Sequence, residues 1–185
     1  KYPNLKEYIL VDPWRHLDDW HKPFNRQDDE FETIYQIAMS QTRDTPEGKD
    51  KVRVLRGTSA EVVGNVSDEQ LDILYVDADH TLKGALTDLM LWYSKVAPNG
   101  LICGDDYMDG AQHKGFAPTN VKSVVDSVAE VIGAKVRKKG HIQFGFIKPS
   151  GPVPEELAVK VIEKLYSKSR LIMDLARRDI DTARE

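Results

Sequence analysis

Residues 71–107 constrain this chain more than any other stretch: LDILYVDADH, then TLKGALTDLMLWYSKV, then APNGLICGDDY. Two short apolar runs end in polar clusters, Asp77, Asp79 and His80 after the first, Asp105 and Asp106 after the second. Between them Leu82, Ala85, Leu86, Leu89, Tyr93 and Val96 recur at helical spacing. The pattern predicts strand, helix, strand. In an open parallel sheet the carboxyl ends of neighbouring strands lie side by side, and ligands bind just outside them. Carboxylates gathered there repel one another and raise each other's pKa unless a cation sits among them. Oxygen donors of this hardness suit Mg²⁺ or another hard divalent ion. Without a cation, Asp79 and Asp106 read as turn caps on a solvated rim.

Upstream, Tyr8 to Val11 reads as a strand buried on both faces, closed by Asp12-Pro13-Trp14. Rossmann-like folds hold nucleotide ribose hydroxyls with an acid at such a strand end, although Asp12 alone also reads as a turn cap. Trp14 to Gln27 is a polar, aromatic excursion over the sheet. Asp29 and Glu32 resemble a capping box for a helix from 29 to 41, with Phe31, Ile34, Tyr35 and Ala38 inward. Val52 to Leu55 is the next strand. Gly57 after it lets the backbone approach a flat ligand, and Ser59 can start a short helix. Pro98-Asn99-Gly100 is expected to end the central helix.

After Tyr107 the loop MDGAQHKGFAPTN, with His113 and Lys114 at its centre, is a candidate lid. Thr119 or Asn120 can cap a helix with Val121, Val124, Val125, Val128 and Ile132 inward. Residues 134–137 and 142–147 read as a hairpin. The fold class is therefore α/β, a Rossmann-like doubly wound and mostly parallel sheet with a terminal antiparallel hairpin. Residues 1–149 form the α/β domain and 150–185 a long amphipathic helix, broken near 167–169. That helix docks on its own chain or on a second copy as a homodimer.

With 185 residues the chain suffices for one domain with a sizeable core. A net charge of −4 offers no broad basic surface, which argues against nucleic acid as partner. No apolar run approaches the roughly 18 residues that span a bilayer, so no membrane partner and a cytoplasmic location are expected. The single cysteine, Cys103, lies in an apolar run and reads as a small core residue. The chain opens on Lys1 already close to a strand, and its beginning is expected to lie upstream.

The runs VDPW, RGTSAE, LDILYVDADH and PNGLICGDDY together resemble the class I S-adenosylmethionine-dependent methyltransferases. The match is to the metal-dependent O-methyltransferase branch that includes the macrocin- and catechol-type enzymes, over about Tyr8 to Lys148. The resemblance implies that Asp12, beside Trp14, holds the ribose of S-adenosylmethionine, and that Ser59, after the Gly57 turn, lies at the adenine. It implies that Asp77, Asp105 and Asp106 bind a divalent cation, with Mg²⁺ expected, Asp77 bordering the cofactor as well. Asp79 or His80 falls at the general base, and the partner is a small molecule with a hydroxyl.

The family's first strand and glycine-rich loop have no counterpart here, since no two glycines stand in a G-x-G relation. Weak cofactor binding is expected of these residues alone. Two other readings remain at this level. Asp77-Ala78-Asp79 is a D-x-D motif of the kind that metal-dependent glycosyltransferases use, and the chain could be a non-catalytic scaffold of methyltransferase shape.

Overall fold

The computed structural model describes residues 4–20, 24–46, 48–110 and 118–182, with side chains in the last stretch as far as 169. The chain divides into two units, one ending at Val66 and one beginning at Ser67. In the first, β1 (Tyr8–Asp12) and β2 (Val52–Arg56) run parallel, from Tyr8 opposite Val52 to Asp12 opposite Arg56. Parallel strands require a crossover, and α1 (Asp28–Gln41) lies within it. The expected Asp29–Glu32 capping box is absent. Asp29 Oδ1 accepts from the Glu30 amide and Asp28 Oδ1 from the His16 amide instead. Three acids in the first turn still suit the positive end of the helix. Arg56 ties α1 to the strand end through Glu32, at 2.8 Å, and the face of Tyr35, at 4.7 Å. A capping box does open α2 (Ser59–Val62), between Thr58 and Glu61.

In the second unit β3 (Leu71–Val76), α3 (Leu82–Tyr93) and β4 (Val96–Gly104) form the expected strand, helix, strand, with β3 and β4 parallel. Pro98-Asn99-Gly100 does not end the helix but lies inside β4, opposite a register shift. There Asn99 takes a φ of +62° and its amide donates to the Lys148 carbonyl. A two-residue ladder of β5 (Asp109–Gly110) and β6 (Thr119–Asn120) precedes α4 (Val121–Ile132). β7 (Arg137–Lys139) and β8 (Gln143–Ile147) complete a sheet of order β3-β4-β8-β7, with β8 antiparallel to both neighbours.

One face of this sheet is core. Ile102, Phe144 and Phe146 join Leu89 and Tyr93 of α3, Val124, Val125 and Val128 of α4, and Leu157 and Val161 of α5 (Leu157–Thr182). Each fully buried valine contributes on the order of 1.5 kcal/mol or more. The last helix thus docks its first turns on its own chain. It runs unbroken through 167–169, where Ser167 Oγ donates back to the Lys164 carbonyl at 2.8 Å.

The opposite face is open: Ile73 is 61% and Tyr75 54% exposed. Cys103, expected in the core, shares that face and is only half-buried, because strand alternation sends Ile102 inward and its neighbour outward. Leu82, expected in the inward stripe of α3, is exposed as well. Among the described residues no helix is long and apolar enough to cross a membrane.

Lys148 is 1% exposed, and its Nζ donates to the carbonyls of Tyr93, at 3.2 Å, and Val96, at 2.6 Å. It satisfies the end of α3 where the chain turns into β4. Lys148→Ala removes both donations, and about 2–3 kcal/mol of stability is expected to go with them. A denaturant midpoint lowered at constant slope would register it; an unchanged midpoint would contradict this role.

Candidate functional site

Between β3 and α3, residues 77–81 make a turn whose side chains have distinct partners. Thr81 Oγ1 caps α3 by accepting from the Gly84 amide at 3.1 Å. Asp79 accepts from the Thr81 amide, at 3.1 Å, and the Thr81 hydroxyl, at 2.8 Å. Gly84 permits this, since a Cβ there would collide with the Asp79 carboxylate. The His80 carbonyl accepts from the Asn120 amide at 2.8 Å, so the turn is tied to β6 as well as to the α3 cap.

Past the end of β4, Asp105 and Asp106 diverge. Asp105 Oδ1 accepts from the Asp106 amide at 2.9 Å. Asp106 has a φ of +54°, left-handed backbone that aspartate and asparagine tolerate better than most residues. Its Oδ2 lies 3.0 Å from His80 Nδ1, while His80 Nε2 lies 3.4 Å from Asp77 Oδ1. The Asp77 carboxyl, half exposed, is held above its ordinary value, first by partial burial and further by Asp105 and Asp106, against the pull of His80.

The structure thus brings together Asp77, His80 and Asp106, donor atoms of which all lie within 4.8 Å of one another. Opposite donors around one ion with bonds of about 2.0–2.6 Å are about 4–5 Å apart, so the three could share a divalent cation. His80 thus faces a carboxylate at each ring nitrogen. Asp79 and Asp105 are not in this converging group.

The other predicted residues belong to the first unit. Asp12 Oδ1 accepts from the Trp14 amide at 2.7 Å, closing the turn after β1. Trp14, at a φ of +41°, is buried edge-on against Tyr35 with centroids 5.2 Å apart. The Gly57 amide donates to the Asp12 carbonyl at 3.1 Å, and a Cβ at 57 would press on Val62 at 2.6 Å. Its lack of a side chain is therefore already required by the packing of α2. Ser59 is the first residue of that helix, behind its cap Thr58.

Two positioning residues escaped the sequence reading. Asp109, not Thr119 or Asn120, caps α4, accepting from the amide and hydroxyl of Ser123 at 3.0 and 2.9 Å. Asn120 acts through its backbone amide on His80, which no side-chain pattern signals. His113 and Lys114 of the candidate lid lie outside the described residues.

Residues 2–107 match a family described as a methyltransferase domain. An uncharacterised protein of Acanthamoeba polyphaga mimivirus is 31% identical over 102 residues, 51% of this chain and 46% of that protein. A solved Corynebacterium glutamicum protein superposes with a TM-score of 0.53 at 11% identity, over 80% of this chain and 63% of its own. The O-methyltransferase NovP gives 0.53 at 14% identity, over 77% and 60%. At such identities the likeness is one of fold, Rossmann-like α/β, and this chain spans less than two thirds of each of these relatives.

Proposed function

This chain belongs to the methyltransferase-domain family that it matches over residues 2–107, and from that premise we propose an S-adenosylmethionine-dependent O-methyltransferase whose divalent cation holds a small hydroxylated acceptor. The observation that carries the reading is the convergence of Asp77, His80 and Asp106 at the ends of two parallel strands.

Asp77 and Asp106 would hold the cation, with Mg²⁺ or a close relative as the ion. Asp12, with Trp14, Gly57 and Ser59, would hold the ribose and adenine of the cofactor. The cation supplies positive charge that makes an acceptor hydroxyl easier to deprotonate, and S-adenosylmethionine supplies a methyl group on a sulfonium. The remaining requirement falls on the turn at 77–81. A base must accept the hydroxyl proton, and Asp79 and His80 are the two side chains there that can. Both are fixed in the folded turn, which lowers the entropic cost of alignment; good alignment is worth up to about 7–11 kcal/mol in such displacements. The D-x-D alternative asks Asp77 and Asp79 to share one ion, whereas Asp79 is turned to Thr81.

The test is transfer of labelled methyl from millimolar S-adenosylmethionine to catechol or a sugar hydroxyl. Transfer that stops with chelator and returns with Mg²⁺ supports the reading, and transfer indifferent to chelator removes the cation from it. Binding of uridine diphosphate in preference to S-adenosylhomocysteine would instead favour the glycosyltransferase. With no G-x-G pair among its 12 glycines, a polypeptide of these 185 residues is expected to bind S-adenosylhomocysteine weakly, with a Kd above about 100 μM. A calorimetric Kd below about 1 μM would contradict that expectation.

A further inference from the structure

We propose that α5 pairs antiparallel with α5 of a second copy of this chain, along a face that its own domain leaves uncovered. The helix has two apolar stripes. Leu157, Val161 and Leu165 pack on the core beside α4, and Lys164 and Lys168 reach Glu130 of α4 at 2.9 and 2.8 Å. Val159, Ile162 and Tyr166 lie on another face and are 48%, 51% and 70% exposed. They stand three and then four residues apart, and the sequence continues that spacing at Ser169, Met173, Ala176 and Ile180. Six of these seven positions are apolar. A 3-4 repeat held over three heptads is the seam along which one helix packs its side chains into another of the same kind. Docking on its own chain and docking on a second copy thus use different faces of one helix.

The length of α5 favours the second copy as the occupant. Its 26 residues span about 39 Å, whereas the 12 of α4 span about 18 Å, so α4 covers less than half of it. A helix in water draws most of its stability from burying an apolar face against a neighbour. Antiparallel pairing supplies that neighbour reciprocally. The half of each helix that extends past α4 lies on the exposed stripe of the other, with Tyr166 beside position 169 of the second copy, Ile162 beside 173 and Val159 beside 176.

Charge at the edge of the seam agrees with this direction. Glu163, next to Ile162, comes opposite position 170 of the second copy, an arginine, and the twofold axis repeats the pair. In a parallel pair the same edge position would face Ala158. The twofold contact is self-complementary, so it closes at two copies.

The test is sedimentation equilibrium of the 185-residue chain at about 5 to 200 μM, with neither cofactor nor metal added. The mass is expected to rise to that of two chains. Ile162→Glu and Tyr166→Glu alter side chains exposed in the single chain, so the fold is expected to persist while association weakens at least about tenfold in each. Lys160→Glu, exposed but off the seam, is expected to change nothing. Glu163→Arg and Arg170→Glu are each expected to weaken pairing, and the two exchanges together to restore it. A cooperative thermal melt of each variant separates loss of pairing from loss of fold. A chain that stays monomeric at about 200 μM overturns the proposal. So does a dimer that survives both Ile162→Glu and Tyr166→Glu, since it would form elsewhere on the surface. Failure of the paired exchange to restore association overturns the antiparallel register.

Discussion

Asp106→Asn is expected to lower methyl transfer by about 10²–10⁴ and to abolish tight Mn²⁺ binding while leaving the protein folded. The magnitude follows from the several kcal/mol that a catalytic cation supplies, each 1.36 kcal/mol being a factor of about ten. Asparagine is the right replacement for a backbone reason. Residue 106 sits at a φ of +54°, where asparagine is nearly as comfortable as aspartate and alanine adds strain of about 1 kcal/mol or more. Asp106→Asn therefore removes charge with little backbone change, and Asp106→Ala confounds the two. The expectation rests on the proposal that Asp106, beside Asp77 at the strand ends, holds the cation. Isothermal titration with Mn²⁺ and a thermal melt check it together. Unchanged Mn²⁺ affinity in a folded Asp106→Asn protein would show that the cluster is only a hydrogen-bonded rim.

The site was legible in the sequence to the level of strand ends and no finer. Short apolar runs stopping at acids located Asp77 and Asp106 correctly at adjacent carboxyl ends, because a parallel pair leaves no other geometry for them. Which side chains face one another depends on turn dihedrals, and the left-handed backbone at Asp106 leaves no mark in periodicity. Asp79 and His80 could not be ranked as cluster members for the same reason. What separates them is Gly84, whose missing side chain lets Asp79 seat on Thr81, a contact between a turn and the helix after it. The valine stripe of α4 was readable because every member lies on one helical face. Cys103 was misread because an uninterrupted apolar run suits burial on both faces, while β4 has one face in the core and one open.

Gly104→Ala is expected to cost about 2–4 kcal/mol of stability and to weaken Mn²⁺ binding, although the substitution adds one methyl group. Gly104 is the last residue of β4, buried between β3 and β8, opposite Val76 on one side and Phe144 on the other. A Cβ there would collide with the Val76 carbonyl oxygen and stand 2.8 Å from the Phe144 ring. Phe144 lies in the packed core, and the Val76 carbonyl is backbone that receives the Asp105 amide at 3.3 Å, so neither moves without disturbing a strand. The displaced strands are those that lead directly into Asp77 and into Asp105 and Asp106. Relief of the clash therefore separates the donors, and stability and cation affinity should fall together. Gly145→Ala is the control. It lies in the same sheet, but its Cβ would meet Cys103 and Leu101 at 3.5 Å, ordinary contact, and its cost should stay below about 1 kcal/mol with Mn²⁺ affinity unchanged. Equal melting temperatures for the two variants would mean that β3 and β4 are not held as tightly at the site as their pairing implies.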